Sequence, residues 1–308
     1  MTTASAPSLA PPSRQLRVRH ETIYRYAAPV TRSTHSLRLR PVTDPEQTLN
    51  GFNLEVTHAD RVREFDDVFG NHVFRFQPTS PFDELRVLAE SQVFTQPLTE
   101  LPSEPGLSRP QIPLVWMPWQ RQMMTPYLLP DELSESELEA LTEYAMSCAR
   151  RNGGDVIDAV LDMNWTIHRE FAYVSGSTTL ETTPYDVLQQ RRGVCQDFAN
   201  LLICLARLLS IPARYRVGYI FTGGRYANEI QSDASHAWAE LYFPWVGWRG
   251  FDPTNGCVAN ADHVRVAVGR HFRDATPTGG VIYEGGGGEL LTVDVRVELD
   301  DSSNVGSA

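Results

Sequence analysis

Through the first hundred positions apolar and polar residues alternate in short runs: Leu16 to Tyr26, around Leu37 to Leu39, Phe52 to Val56, His72 to Phe76 and Leu85 to Phe94. A period of two over such lengths predicts half-buried β-strands. Gly70-Asn71, between two of these runs, is a two-residue hairpin signal. From Pro97 to Pro130 the alternation lapses into proline-punctuated chain carrying Trp116 and Trp119, which reads as a linker packed against its surroundings. The period then lengthens. Ser134 with Glu137 forms a capping-box signature for a helix that runs to Asn152-Gly153. A second helix follows from Asp155 to about His168, Phe171 to Val174 is a short strand or turn, and Thr183-Pro184 opens a short helix to Gln190. Phe198, Leu201, Leu202, Leu205, Leu208 and Leu209 recur at three- and four-residue steps, the stripe of a buried helix that ends before Pro212. Alternation returns in Tyr215 to Phe221, Ala237 to Phe243 and Trp248 to Asp252. Leu291, Val293, Val295, Val297 and Leu299 form a last strand that the pattern assigns to no particular sheet. Helices followed by antiparallel strands make an α+β order, preceded by a β-rich domain.

Chemistry concentrates where these elements begin and end. Arg191-Arg192-Gly193-Val194-Cys195 leads into the striped helix, so Cys195 sits at its N-terminus. Unpaired N–H groups and the positive end of the helix dipole favour thiolate over thiol there. Gly193 would permit the tight turn that presents the sulfur, and Arg191 and Arg192 add positive charge nearby in sequence. A thiol nucleophile needs an imidazole to take its proton, and the imidazole needs a carboxylate to hold its tautomer. His236 lies near the start of one predicted strand and Asp252 at the end of the next. An antiparallel turn from Pro244 to Gly247 would set the two side by side. The backbone N–H of Cys195 is a natural oxyanion donor. Gln196 could be a second donor or a helix cap, and Asp197 and Glu240 read as structural or substrate-orienting.

Four segments carry a family resemblance: Gly-Val-Cys-Gln-Asp-Phe-Ala (193–199), Ile-Pro-Ala-Arg-Tyr-Arg-Val-Gly-Tyr (211–219), His-Ala-Trp-Ala-Glu (236–240) and Phe-Asp-Pro-Thr-Asn (251–255). Together they resemble the transglutaminase-like superfamily, specifically its bacterial members. His20 to Tyr26, Pro29-Val30 and Phe69-Gly70-Asn71 look like the β-rich N-terminal domain of that group. The resemblance implies a papain-like core in which Cys195 is nucleophile, His236 base and Asp252 orienter. By its position ahead of the nucleophile it also suggests Tyr173 as an oxyanion or substrate-orienting residue. Composition, pattern and resemblance together suggest a disordered 1–13, a β-rich domain over 14–96, a proline-rich linker over 97–130, a catalytic core over 131–284, and a Gly-rich link with terminal strand and tail over 285–308.

Composition narrows the partners. The 308 residues suffice for two domains with full cores. A formal net charge of -11 argues against nucleic-acid or anionic-membrane binding, which needs clustered positive charge. All 27 basic residues are arginine, so the Gly285 to Gly288 run cannot be a phosphate loop with its lysine and reads as a flexible link. Cys148, Cys195, Cys204 and Cys257 show neither paired metal spacing nor a disulfide framework. Cys148 and Cys204 fall on apolar helix faces and read as packing residues. No signal-peptide core and no run of about 18 apolar residues is present, which points to a soluble, cytoplasmic protein in a reducing compartment.

The expected activity is thiol-dependent acyl transfer from an amide or peptide bond of a protein or peptide substrate, with no cofactor and no metal. The triad alone does not separate a hydrolase from an acyltransferase. The lack of an amine-binding feature or an EF-hand-type calcium loop tilts the reading to hydrolysis, with protein-glutamine transglutamination as the alternative. A peptide-binding module without chemistry and a zinc site built from Cys195, Cys257 and His236 are the competing readings.

Overall fold

The computed structural model of the protein describes residues 12–97, 101, 109–223, 234–244 and 246–300. The N-terminal alternation becomes strands β1 (Arg14–Leu37), β2 (Gln47–Val56), β3 (Val62–Asp66), β4 (His72–Phe76) and β5 (Phe82–Thr95), hydrogen-bonded in the order β2-β5-β1-β4-β3. Val30, Leu37, Phe74, Phe76, Phe82, Leu85 and Val87 form a core for this sheet. Strand β3 is invisible to the pattern because all five of its residues are exposed and burial imposes no alternation on them. Gly70-Asn71 does turn a hairpin, but not as a two-residue loop. Asp66 pairs with His72, and Asp67 Oδ1 accepts the N–H groups of Phe69 and Asn71 in the connection between them.

The proline-punctuated stretch contains a helix, α1 (Pro118–Leu128), where irregular chain was expected. Pro118 sits in its first turn, where a missing N–H costs nothing. No residue of α1 is buried, so it lacks the apolar stripe on which a sequence reading depends. Trp116 packs as expected: its indole N–H donates to Ser210 O at 2.9 Å, and its ring meets Tyr242. Much of the rest of the expected linker, like residues 1–11 of the expected disordered N-terminus, lies outside the described residues.

Helices α2 (Glu135–Arg151) and α3 (Val156–Glu170) start where the caps predicted, at Ser134, whose N–H donates to Glu137 Oε2, and at Asp155, which accepts Asp158 N–H. Strand β6 (Ala172–Tyr173), helix α4 (Pro184–Gln190) and strand β7 (Arg192–Gly193) lead into helix α5 (Cys195–Leu208). The stripe of α5 is buried against a sheet of β8 (Ala213–Ile220), β9 (His236–Phe243), β10 (Gly247–Asp252), β11 (Cys257–Val258) and β12 (His263–Gly269), ordered β11-β10-β9-β8-β12. Ala237, Ala239, Leu241 and Phe243 of β9 share one core cluster with Leu201, Leu202, Leu205 and Cys204 of α5. Each fully buried leucine there contributes roughly 2 kcal/mol of burial energy. Cys148 and Cys204 are fully buried in the same cluster, the packing role expected of them.

After α6 (Phe272–Ala275) the chain returns to the first sheet. Strands β13 (Thr278–Gly285) and β14 (Leu290–Leu299) both pair antiparallel with β1, which settles the sheet of the last strand. Residues 278–284 had been grouped with the core segment, yet their hydrogen bonds go to β1. Gly285 to Gly288 form a bonded turn where a flexible link was expected: all four have positive φ, Gly286 N–H donates to Pro29 O, and Gly287 O accepts Ala27 N–H. The two sheets share apolar contacts, since Leu16, Val18, Val93 and Val295 belong to the α5 cluster. Among the described residues no helix is long and apolar enough to cross a membrane.

Candidate active site

The approach to Cys195 is built by two short parallel strands. Tyr173 of β6 pairs with Gly193 of β7, and Val174 N–H donates to Gly193 O at 2.9 Å. Between α4 and β7 the chain turns through Arg191, which adopts the left-handed conformation at φ 54°. Gly193 itself does not. It is required by close approach, because a Cβ at that position would lie 2.8 Å from Asp197 Cβ and 3.2 Å from Phe198 Cε1. Asp197 closes the start of α5: its Oδ2 accepts Val194 N–H at 2.8 Å and the Thr178 hydroxyl at 2.7 Å. Capping therefore falls to Asp197 and not to Gln196, which sits half-buried in the first turn. Arg191 is engaged elsewhere, over the rings of Phe171 and Tyr144 and with Glu170 Oε2 at 3.2 Å.

The antiparallel pairing of β9 and β10 brings His236 and Asp252 together as the strand order predicted. His236 Nε2–H donates to Asp252 Oδ2 at 2.8 Å, and both side chains are fully buried. Asp252 is held from several sides. Its Oδ1 accepts the backbone N–H groups of Thr254 and Asn255, and its Oδ2 also accepts Asn255 Nδ2–H at 2.7 Å and His263 Nε2–H at 3.2 Å. The turn that follows Asp252 is braced by α3, where the His168 imidazole bonds Thr254 O at 2.8 Å. Gly256, at φ +63°, lies so close to that ring that a Cβ would meet it at 2.7 Å.

This environment sets the charges. Burial alone would push the His236 imidazole down, but the Asp252 carboxylate and then the Cys195 sulfur reverse it, and His236 is raised to about 10. Burial likewise opposes the Asp252 charge, and the two histidines outweigh it, holding the carboxyl well below its usual range. His236 Nδ1 is buried without a hydrogen-bond partner, and Cys195 is among the groups whose charge acts on the ring. Tyr173, paired with Gly193 through β6 and β7, lies within electrostatic reach of Cys195. Its hydroxyl is raised above the usual phenol value, first by burial and then by the sulfur's charge, so it stays a neutral O–H. Burial also pushes up the other thiols, Cys204 to about 12, Cys148 less, and Cys257 well above its ordinary value.

Glu240 is structural: it bonds Arg214 and Arg216 at 2.7 Å each, and although burial opposes its charge, the two arginines hold it at about 2. Tyr219 and Trp238 are buried. Sequence reasoning missed His263 and Asn255. Asn255 lay in the quoted Phe-Asp-Pro-Thr-Asn segment, and the alternation of Val264, Val266 and Val268 was the unused signal for β12. The zinc arrangement of Cys195, Cys257 and His236 is not what the chain assembles. The metal-capable group among the described residues is His236, Asp252 and His263, without a cysteine. Asp252 Oδ2 there already accepts three N–H donors, so the cluster is accounted for as a hydrogen-bond network.

A helix N-terminal cysteine set against a buried His–Asp pair on antiparallel strands, in an α+β core behind a β-rich sheet, defines the class: the chain belongs to the transglutaminase-like superfamily. Residues 144–253 match that superfamily, and residues 16–94 match the bacterial transglutaminase-like N-terminal region. Uncharacterized proteins of Mycobacterium tuberculosis and Mycobacterium leprae are 32% and 30% identical, each over 92% of this chain and over 93% and 98% of their own lengths. Among solved structures, a candidate cysteine protease from Cytophaga hutchinsonii superposes with a TM-score of 0.71 at 25% identity, covering 95% of this chain and 93% of its own.

Proposed function

We propose that the protein is a thiol-dependent hydrolase of amide or peptide bonds, acting through Cys195, His236 and Asp252. The observation that carries this reading is the buried His236–Asp252 pair at 2.8 Å, with the second imidazole nitrogen left for the sulfur at the head of α5. His236 holds its proton through neutral pH, which suits a thiolate–imidazolium pair. The Cys195 sulfur attacks the substrate carbonyl carbon, and the π electrons move to oxygen. That oxyanion would be met by the Cys195 N–H and the Tyr173 hydroxyl, with Gln196 as a further donor on the same turn. The imidazolium gives its proton to the leaving nitrogen, the C–N bond breaks and a thioester remains. Water then attacks the thioester, His236 takes its proton, the C–S bond breaks and the carboxylate product leaves.

Mass spectrometry of peptide mixtures incubated with the protein, with and without a primary amine, tests this. Cleavage or deamidation that requires Cys195 supports hydrolysis. Incorporation of the amine would replace hydrolysis by transglutamination, and no change at all would favour a binding module. Four unpaired thiols fit a reducing, cytoplasmic compartment, and fractionation of cells tests that part of the reading.

A further inference from the structure

The His236–Asp252 pair has a second histidine behind it. His263 opens β12, is 2% exposed, and places Nε2 3.2 Å from the same Asp252 Oδ2 that receives His236. Its Nδ1 lies 3.2 Å from the backbone N–H of Asn260, which can only donate, and 3.4 Å from Asn260 Oδ1. Nε2 faces the Asp252 carboxylate, which accepts, so Nε2 carries a proton directed at it. Its ring stands edge-on to Trp238 at 5.2 Å, and Trp238 in turn lies 5.9 Å from the His236 ring. The strand that carries His263 is fixed from outside the core, since the Gln47 side chain bonds both N–H and C=O of Arg265.

We infer that His263 is a positioning residue of the site: it orients the Asp252 carboxylate and limits how tightly that carboxylate holds the proton of His236. The inference rests on the acyl-transfer reading. A donor on Oδ2 spreads the carboxylate charge over two imidazoles, and removing it would leave a more basic oxygen facing His236. His236 must release its proton to the leaving nitrogen, so a carboxylate that grips it too strongly slows the first half-reaction. The groups around the network are Cys195 and Tyr173 on the nucleophile side, Cys257 and Asp262 beyond Asp252, and Arg216, Glu240, Arg249 and Arg265 of the cavity that His263 also lines, together with Arg214, Asp44 and Glu46.

The test compares His263→Phe, which fills the ring volume without a donor, with His263→Gln, which keeps an N–H in reach of Asp252. His263→Leu serves in place of the Phe variant if that one does not fold. The readouts are the NMR titration of the His236 imidazole, which needs no substrate, and the pH profile of Cys195 alkylation by iodoacetamide. The donor-free variant should move the His236 midpoint upward by roughly half a pH unit or more, with the Gln variant returning most of the shift. Unmoved midpoints in both variants, or equal shifts in both, would assign His263 a packing role and overturn the inference. A wild-type Cys195 no more reactive than the other three thiols would instead sink the acyl-transfer reading, while the NMR titration still decides how His263 acts on His236.

Discussion

Gln47 brackets the main chain of Arg265: its Oε1 accepts Arg265 N–H at 2.7 Å, and its Nε2 donates to Arg265 O at 2.9 Å. A side chain of the first sheet thus supplies the edge of β12 with the hydrogen bonds a further strand would have made. Arg14 with Asp262, Asn71 with Val268, and His20 with Tyr219 join the two parts in the same region. The β-rich sheet is a buttress for the strands behind the site.

Replacing Gln47 by Ala should therefore destabilise the whole protein. It would leave the Arg265 N–H and the Val42 carbonyl without partners, at roughly 1–3 kcal/mol for each group left buried and unpaired, while Arg265 O keeps only the Val42 N–H at 3.0 Å. Urea unfolding checks this, and a midpoint equal to wild type would mean that water replaces the amide.

Of the four cysteines, only Cys195 should react rapidly with iodoacetamide near neutral pH, because burial raises the other three thiols. Peptide mapping after brief alkylation measures it. Asp252→Asn should slow any acyl transfer by about 10⁴-fold, the scale seen when a triad orienter is lost. Label spread evenly over all four thiols would count against the assignment of the nucleophile.

The His236–Asp252 pair should write itself into the pH dependence of stability. An unfolded histidine titrates near 6.5, and His236 in the fold is raised to about 10. Its contribution is whole below the unfolded value and is lost as pH rises toward the folded one, where only the native state still holds the proton. Asp252 behaves oppositely: its contribution is present above the unfolded carboxylate value and fades as pH falls below it. Urea midpoints measured from pH 6 to 10 should fall more steeply for wild type than for His236→Gln. Parallel slopes would show that the pair is not ionised as described.

His20 and His35 predict an acid limb. Both are buried, and burial lowers each to about 4. The unfolded chain binds protons at these positions from about 6.5 downward while the fold refuses them, so stability is lost as pH falls through that interval. Unfolding at pH 7 and pH 4.5 should differ less for a His20→Gln, His35→Phe double variant than for wild type.

How much of this was legible varies with how locally each feature is specified. The caps at Ser134, Asp155 and Thr183 and the stripe on α5 depend on neighbours within one or two turns, and they appear where the pattern put them. Cys195, His236 and Asp252 stood at element ends, so period changes in the sequence marked them. Helix α1 and strand β3 left no mark because neither buries a residue, and periodicity records only burial. His263 left no mark either, since its meaning lies in a bond to a residue on another strand.

The sequence alone determined most of the elements, the α+β class, the family and the placing of Cys195, His236 and Asp252 at element ends, because hydrophobic period, caps and short motifs act over a few residues. The tertiary structure decided the rest. It returned β13 and β14 to β1, gave capping to Asp197, turned Gly193 from a tight-turn residue into a packing requirement, and put His263 behind Asp252. Each of these is set by sheet register and close packing between segments far apart in the chain, and no local pattern encodes such distances.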